Sequence, residues 1–290
     1  MTISAGQVKE LRERTGAGMM ECKKALTEAG GDMDAAIEQM RISGLAKADK
    51  KSGNTAAEGI VSIAMAEDRA RFAMVEINSQ TDFAAKAPPF VEFTDRVTRA
   101  VFADQPASVE AIELDGEPLE ETRKTLVAKI GENIQVRRVA CGTSTGGHYG
   151  QYSHGGGRIG VVAELEGGDE TLARDVAMHI AASRPVCIDE SGVPAELLEK
   201  ERSILAAEAS ESGKPPEIAE KMVQGRIRKY LAEVTLVGQP FVKDPDRTVG
   251  KLLETAGARV RLFHRFEVGE GIDRPQENFA QEVMAQVRGD

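Results

Sequence analysis

An aromatic ring and a carboxylate stand side by side in the stretch Asn78-Ser79-Gln80-Thr81-Asp82-Phe83-Ala84-Ala85-Lys86. The stretch follows Arg71-Phe72-Ala73-Met74-Val75-Glu76-Ile77, a run that alternates as a strand does. At Asn78 polar residues take over. A surface loop is expected there, because backbone polar groups outside regular structure need water. On such a loop Phe83 either plugs the end of the sheet, the usual fate of an apolar side chain, or is held out for a partner.

Other residues could in principle do chemistry. Gly142 to Gly160 is rich in glycine, but it contains no lysine and lacks the spacing of a phosphate loop. A flexible hairpin connection is expected instead. His148, His154, His179 and His264 are the only histidines. None has the spacing of a metal pair or of a nucleophile–base arrangement. His179 reads as a packed helical side chain. His154 precedes three glycines, so its ring is unobstructed, which suits a contact residue better than a catalyst. Met19 and Met20 follow a glycine turn at the start of a helix. Neighbours on a helix point about 100° apart, so at least one thioether is expected at the surface. There it adapts to a partner; the alternative is core packing of one and chance exposure of the other. No nucleophile, base and oxyanion site assembles from these residues, which points away from a chemical enzyme.

The bulk composition narrows the class. A chain of 290 residues is long for one core and suggests two or three domains. A net charge of −10 argues against general nucleic-acid binding. The first 51 residues are slightly basic and the remainder carries the acidic excess. Cys22, Cys141 and Cys187 are far apart, as in a reduced cytosolic protein without disulfides or zinc. Cys22 falls in a helical apolar pattern and is expected to be buried. No signal peptide is expected, nor an apolar run near the roughly 20 residues of a membrane span. A cytoplasmic location follows, with no membrane partner.

The elements that must position these residues are α+β. Residues 1–54 read as a three-helix docking module. Its helices start near Ser4, Met19 and, after the Asp32 cap, Met33; the third ends near Gly44. Lys47 to Thr55 reads as a linker. Residues 55–141 form one core subdomain, opening on a strand hairpin around Glu67-Asp68-Arg69. Residues 142–193 and 236–270 form a second. Between them, residues 194–235 read as two helices across Ser212-Gly213-Lys214-Pro215, folded back as a protruding antiparallel hairpin. Leu197, Ile204, Leu205, Ile218, Met222 and Ile227 are its expected apolar seam. Residues 271–290 hold a C-terminal helix from about Pro275 to Val287.

The segments LRERTGAGMMECKKAL (11–26) and NSQTDFAAK (78–86) resemble the bacterial translation elongation factor Ts family. The resemblance continues in the family's order through AKIGENIQVRRVA (128–140), SHGGGRIGVV (153–162), AMHIAASRP (177–185), SGKPPEIAEKMVQGR (212–226), LVGQPFVKD (236–244) and FHRFEVGEGI (263–272). It implies a guanine-nucleotide exchange factor for elongation factor Tu, with no cofactor of its own. It also implies a ubiquitin-associated-like fold for the three-helix module. Thr81, Asp82, Phe83 and Ala84 map onto the segment implied to enter the GTPase near its Mg²⁺. Arg12, Met19, Met20 and Lys23 would dock on the nucleotide domain, Ile130, Gly131 and His154 would contact the GTPase core region, and Val242 would reach a second domain. Ala84 departs from the family, which often has valine there. An adaptor that binds the ribosome or a translation factor without exchanging nucleotide is the alternative.

Overall fold

The computed structural model describes residues 3–211 and 215–273. Helices α1 (Ala5–Thr15), α2 (Met19–Glu28) and α3 (Met33–Lys51) come first. Strands β1 (Glu58–Met65) and β2 (Arg71–Ser79) lead into a single turn of helix, α4 (Asp82–Ala85), and then α5 (Pro88–Asp104). A two-residue pair, β3 (Glu113–Leu114) and β4 (Glu117–Pro118), precedes α6 (Leu119–Ile130) and β5 (Ile134–Thr143). Next are β6 (His148–His154), β7 (Ile159–Glu166) and α7 (Glu170–Ser183). Helices α8 (Ala195–Glu211) and α9 (Pro216–Val234) are followed by β8 (Pro240–Phe241), β9 (Asp244–Thr248), α10 (Val249–Thr255) and β10 (Arg259–Glu267).

The core is four layers deep. One antiparallel sheet has the order β1-β2-β5 and the other β10-β7-β6. In β2, Ala73, Val75 and Ile77 face α5 and α6, packing with Phe90, Phe93, Val97 and Val127. Phe72 and Met74 point the other way, onto Tyr149 and Val162 of the second sheet. In β7, Val161, Ala163 and Leu165 face α7, against Ala173, Val176 and Ile180. Period-two alternation in β2 and β7 thus does not separate core from solvent; both faces are buried, as in a central strand between two layers. Consequently β2 does not end at Asn78. It runs to Ser79, and Asn78 and Ser79 are fully buried.

Burial on both faces traps a charge. Glu76 has no exposed surface. Its carboxylate accepts from Arg137 Nη1 at 3.1 Å, Arg138 Nε at 2.5 Å, Gly269 N at 2.9 Å and Asn78 Nδ2 at 3.2 Å. A buried carboxylate is tolerated only when paired and hydrogen-bonded in this way. The cluster joins β2 and β5 to the chain beyond β10.

Three expectations change. The third helix passes Gly44 and runs to Lys51, so most of the expected linker is helix. The cause is tertiary: its second half lies along α6, with Ala48 in the main core and Lys124 Nζ 2.8 Å from Asp49. The three helices still close a small core of their own from Val8, Leu11, Cys22, Leu26 and Ala36. The glycine-rich segment is not merely a connection, since it contains β6. Gly150 is needed there because a Cβ would lie 2.3 Å from the backbone of Ala173 in α7. Helices α8 and α9 do pair as a hairpin. Leu205 and Ala209 are buried in it, whereas Ile204 and Ile218, expected in the seam, are exposed. At its base Val186 N donates to Val234 O and Leu236 N to Cys187 O. The expected C-terminal helix and residues 212–214 of the expected break lie outside the described residues.

Candidate functional site

The stretch expected as a loop is the one-turn helix α4 with a built N-cap. Thr81 is extended (φ −122°, ψ 157°), and its hydroxyl accepts from Ala84 N at 3.2 Å. Ala84 and Ala85 turn inward and are buried. Phe83 points out and is 83% exposed, which removes the possibility that it plugs the sheet. Asp82 beside it is exposed as well. Lys86 Nζ lies 2.6 Å from Asp82 Oδ2, and this hydrogen bond holds the Asp82 carboxyl below its usual range. Such an exposed pair is easily exchanged for another cation.

A four-residue helix has no stability of its own, so the turn is held from outside. Glu132 Oε1 accepts from the Thr81 hydroxyl at 2.8 Å, and Oε2 from Thr81 N at 3.0 Å. Gln80 Oε1 accepts from Asn133 N at 2.8 Å and from Asn54 Nδ2 at 3.2 Å. Asn133 Nδ2 in turn donates to Ser52 O at 3.2 Å and Asn54 O at 2.7 Å. Ser79 Oγ closes the turn on Thr81 O at 2.8 Å.

Glu132 and Asn133 are presented by the end of α6. Gly131 caps that helix in the left-handed region at φ 86°, where a Cβ is strained. Ile130 and Gly131, expected as contact residues, therefore adjoin the residues that hold the Thr81–Ala84 turn. Glu132 and Asn133, which follow them, were not among the residues singled out in the sequence. The available signal was two consecutive polar residues directly after a helix-ending glycine.

The other candidates occupy separate surfaces. Met19 and Met20 are both strongly exposed at the start of α2, more than the reading required, and Arg12 and Lys23 are exposed on α1 and α2. His154 is exposed at the end of β6, with Tyr152 Oη 3.4 Å from its Nδ1. The glycine turn after it rests on β1, where Val61 N donates to Gly157 O at 2.7 Å. Val242 is exposed between β8 and β9. Its N–H donates to Nδ1 of the buried His179 at 3.1 Å, and His179 Nε2 then donates to Gln239 Oε1 at 3.0 Å. Burial pushes the His179 imidazole below its usual pKa, and the Gln239 bond opposes this. His179 is packed, as expected, but it is also what fixes Val242.

Among the described residues no group of three or more His, Cys, Asp and Glu is placed to hold a metal ion. No described helix is long and apolar enough to cross a membrane.

Residues 80–270 match the family model described as elongation factor TS. Curated relatives match from end to end. An elongation factor Ts of Thioalkalivibrio sulfidiphilus is 64% identical over 293 residues, covering 100% of both chains. One of Alkalilimnicola ehrlichii is 61% identical over 292 residues, again covering 100% of both. One of Methylococcus capsulatus is 59% identical over 293 residues, covering 99% of each. With a family model over residues 80–270 and relatives 59–64% identical over the whole chain, this chain belongs to the elongation factor Ts family.

Proposed function

We propose that this translation elongation factor acts on elongation factor Tu in its GDP-bound form and promotes GDP release, so that GTP can enter. The observation that carries the reading is an exposed Phe83, next to an exposed Asp82, on a turn held by hydrogen bonds from two other segments, Glu132-Asn133 and Asn54. An aromatic ring in water gains from burial in a partner, and a rigid mount lets it act as a wedge. GDP on a GTPase is held through its phosphates and a Mg²⁺ that neutralises them. A ring and a carboxylate that displace the Mg²⁺-bearing segment, with Thr81 and Ala84 shaping the turn, weaken that grip without touching the base. Asp82 gives up Lys86 for a cationic or metal-adjacent site on the partner.

Met19, Met20, Arg12 and Lys23 serve as the docking surface on the three-helix module, with Ile130, Gly131, His154 and Val242 as further contacts. The chain's role is non-covalent. It binds nucleotide-free partner more tightly than either nucleotide complex, and by linkage incoming nucleotide weakens its own hold equally. The test is release of labelled GDP from purified elongation factor Tu with and without this chain. Marked acceleration by catalytic amounts is expected; binding without acceleration would leave only an adaptor.

A further inference from the structure

We infer that Glu132 is a positioning residue for this exchange turn, fixing the direction of Phe83 through Thr81. The inference rests on the role proposed for Phe83. The ring is almost wholly exposed, so the backbone of α4 decides where it points. That backbone is one helical turn, and a single turn is unfavourable by itself. Its N-cap hydroxyl is committed twice, accepting from Ala84 N and donating to Glu132. Glu132 also takes the Thr81 N–H, so both polar groups at the cap end on one carboxylate from across the fold. Hydrogen bonds to a charged acceptor are roughly twice as strong as neutral ones. The strut from Gln80 to Asn133 and Asn54 fixes the residue before the cap, and Ser79 Oγ holds only the Thr81 carbonyl, from within the same segment; the Thr81 N–H and hydroxyl are tied to the rest of the fold by Glu132. Glu132 is therefore the group whose loss converts a mounted ring into a mobile one.

Positioning differs from docking in its kinetics. A wedge that wanders lowers the maximal release rate and leaves KM, set mainly by the docking surface on the three-helix module, little changed. Glu132→Ala is expected to lower that maximal rate by about tenfold. Glu132→Gln should recover much of the loss, because its carbonyl can accept the Thr81 N–H and its amide can donate to the Thr81 oxygen. The chain contains no tryptophan, so Phe83→Trp supplies a single tryptophan at the tip, which is excited apart from the tyrosines at the red edge of the absorption band. In that background Glu132→Ala should lower the fluorescence anisotropy of the free protein and Glu132→Gln should not, with far-UV circular dichroism unchanged. Unchanged anisotropy in Glu132→Ala overturns the inference, whatever happens to the rate. Lower anisotropy with a normal release rate overturns it too, since the clamp would then order a turn that exchange does not need. Normal exchange by Phe83→Ala would instead remove the role of Phe83 itself, a failure recognisable without any change at Glu132.

Discussion

At the scale of single residues, Phe83 separates two opposite costs. Burying a phenylalanine ring in a partner is worth roughly 1.5–3 kcal/mol. If part of that is realised only while GDP is leaving, Phe83→Ala slows exchange by about tenfold or more, since ~1.4 kcal/mol is one decade. Its melting temperature should barely move, because the ring touches solvent and not the core. A drop of several degrees with normal exchange per folded molecule would show the opposite role. Asp82→Ala should also slow release while leaving stability nearly unchanged. The identity of this pair was plain from residue types alone. That Phe83 faces out and Ala84 in was not, because the direction depends on a helical turn capped by Glu132, 51 positions beyond Thr81.

Elements carry two further expectations. The α8–α9 hairpin joins the rest at a base formed by Val186, Cys187, Val234 and Leu236. Replacing residues 199–229 with a short glycine-containing turn should leave both the melting temperature of the core and GDP release close to normal. Loss of release from a folded variant would move the hairpin into the main interface. The second expectation concerns the β8–β9 turn, which hangs on neutral His179. Its folded pKa lies below the ordinary 6.5, so below that pH the unfolded chain takes up the proton first. The stabilisation is complete above the ordinary value and is lost as pH falls through it toward the folded one. His264, pushed down by its own burial, adds to the same slope. Melting temperature should therefore fall between about pH 7.5 and 5.5. His179→Gln should melt lower at neutral pH and decline less steeply; an equal slope would exclude His179 as a source.

The whole molecule is held together at β2 and β7, and Glu76 sits where the layers meet. Glu76→Ala leaves Arg137 and Arg138 without their buried partner and frees Gly269 N. Breaking such a pair costs about 3 kcal/mol, the low end of the usual range because both arginines reach solvent. Denaturant unfolding should show that loss, while GDP release per folded molecule stays normal. An unchanged midpoint would mean that the arginines find other acceptors. At this scale the three-helix module is not tethered by a flexible link. It is carried on a continuous helix whose far end, Ala48, belongs to the main core. Its exposed methionines are thus oriented by the packing of α3 on α6.

Local patterning determined most elements of this protein, since helix caps at Ser4, Asp32 and Asp169 and glycine stops at Gly16 and Gly131 act within a few residues of chain. It also placed an aromatic–carboxylate pair directly after a strand and two methionines directly after a glycine turn. Tertiary structure alone decided three things. It continued α3 past Gly44, because α6 supplied a surface to bury against. It made β2 a two-faced central strand, because a second sheet covered the side that alternation reserves for water. It held the Phe83 turn rigid through Glu132, Asn133 and Asn54. Those hydrogen bonds join residues far apart along the chain, and no pattern within one segment encodes a partner supplied by another.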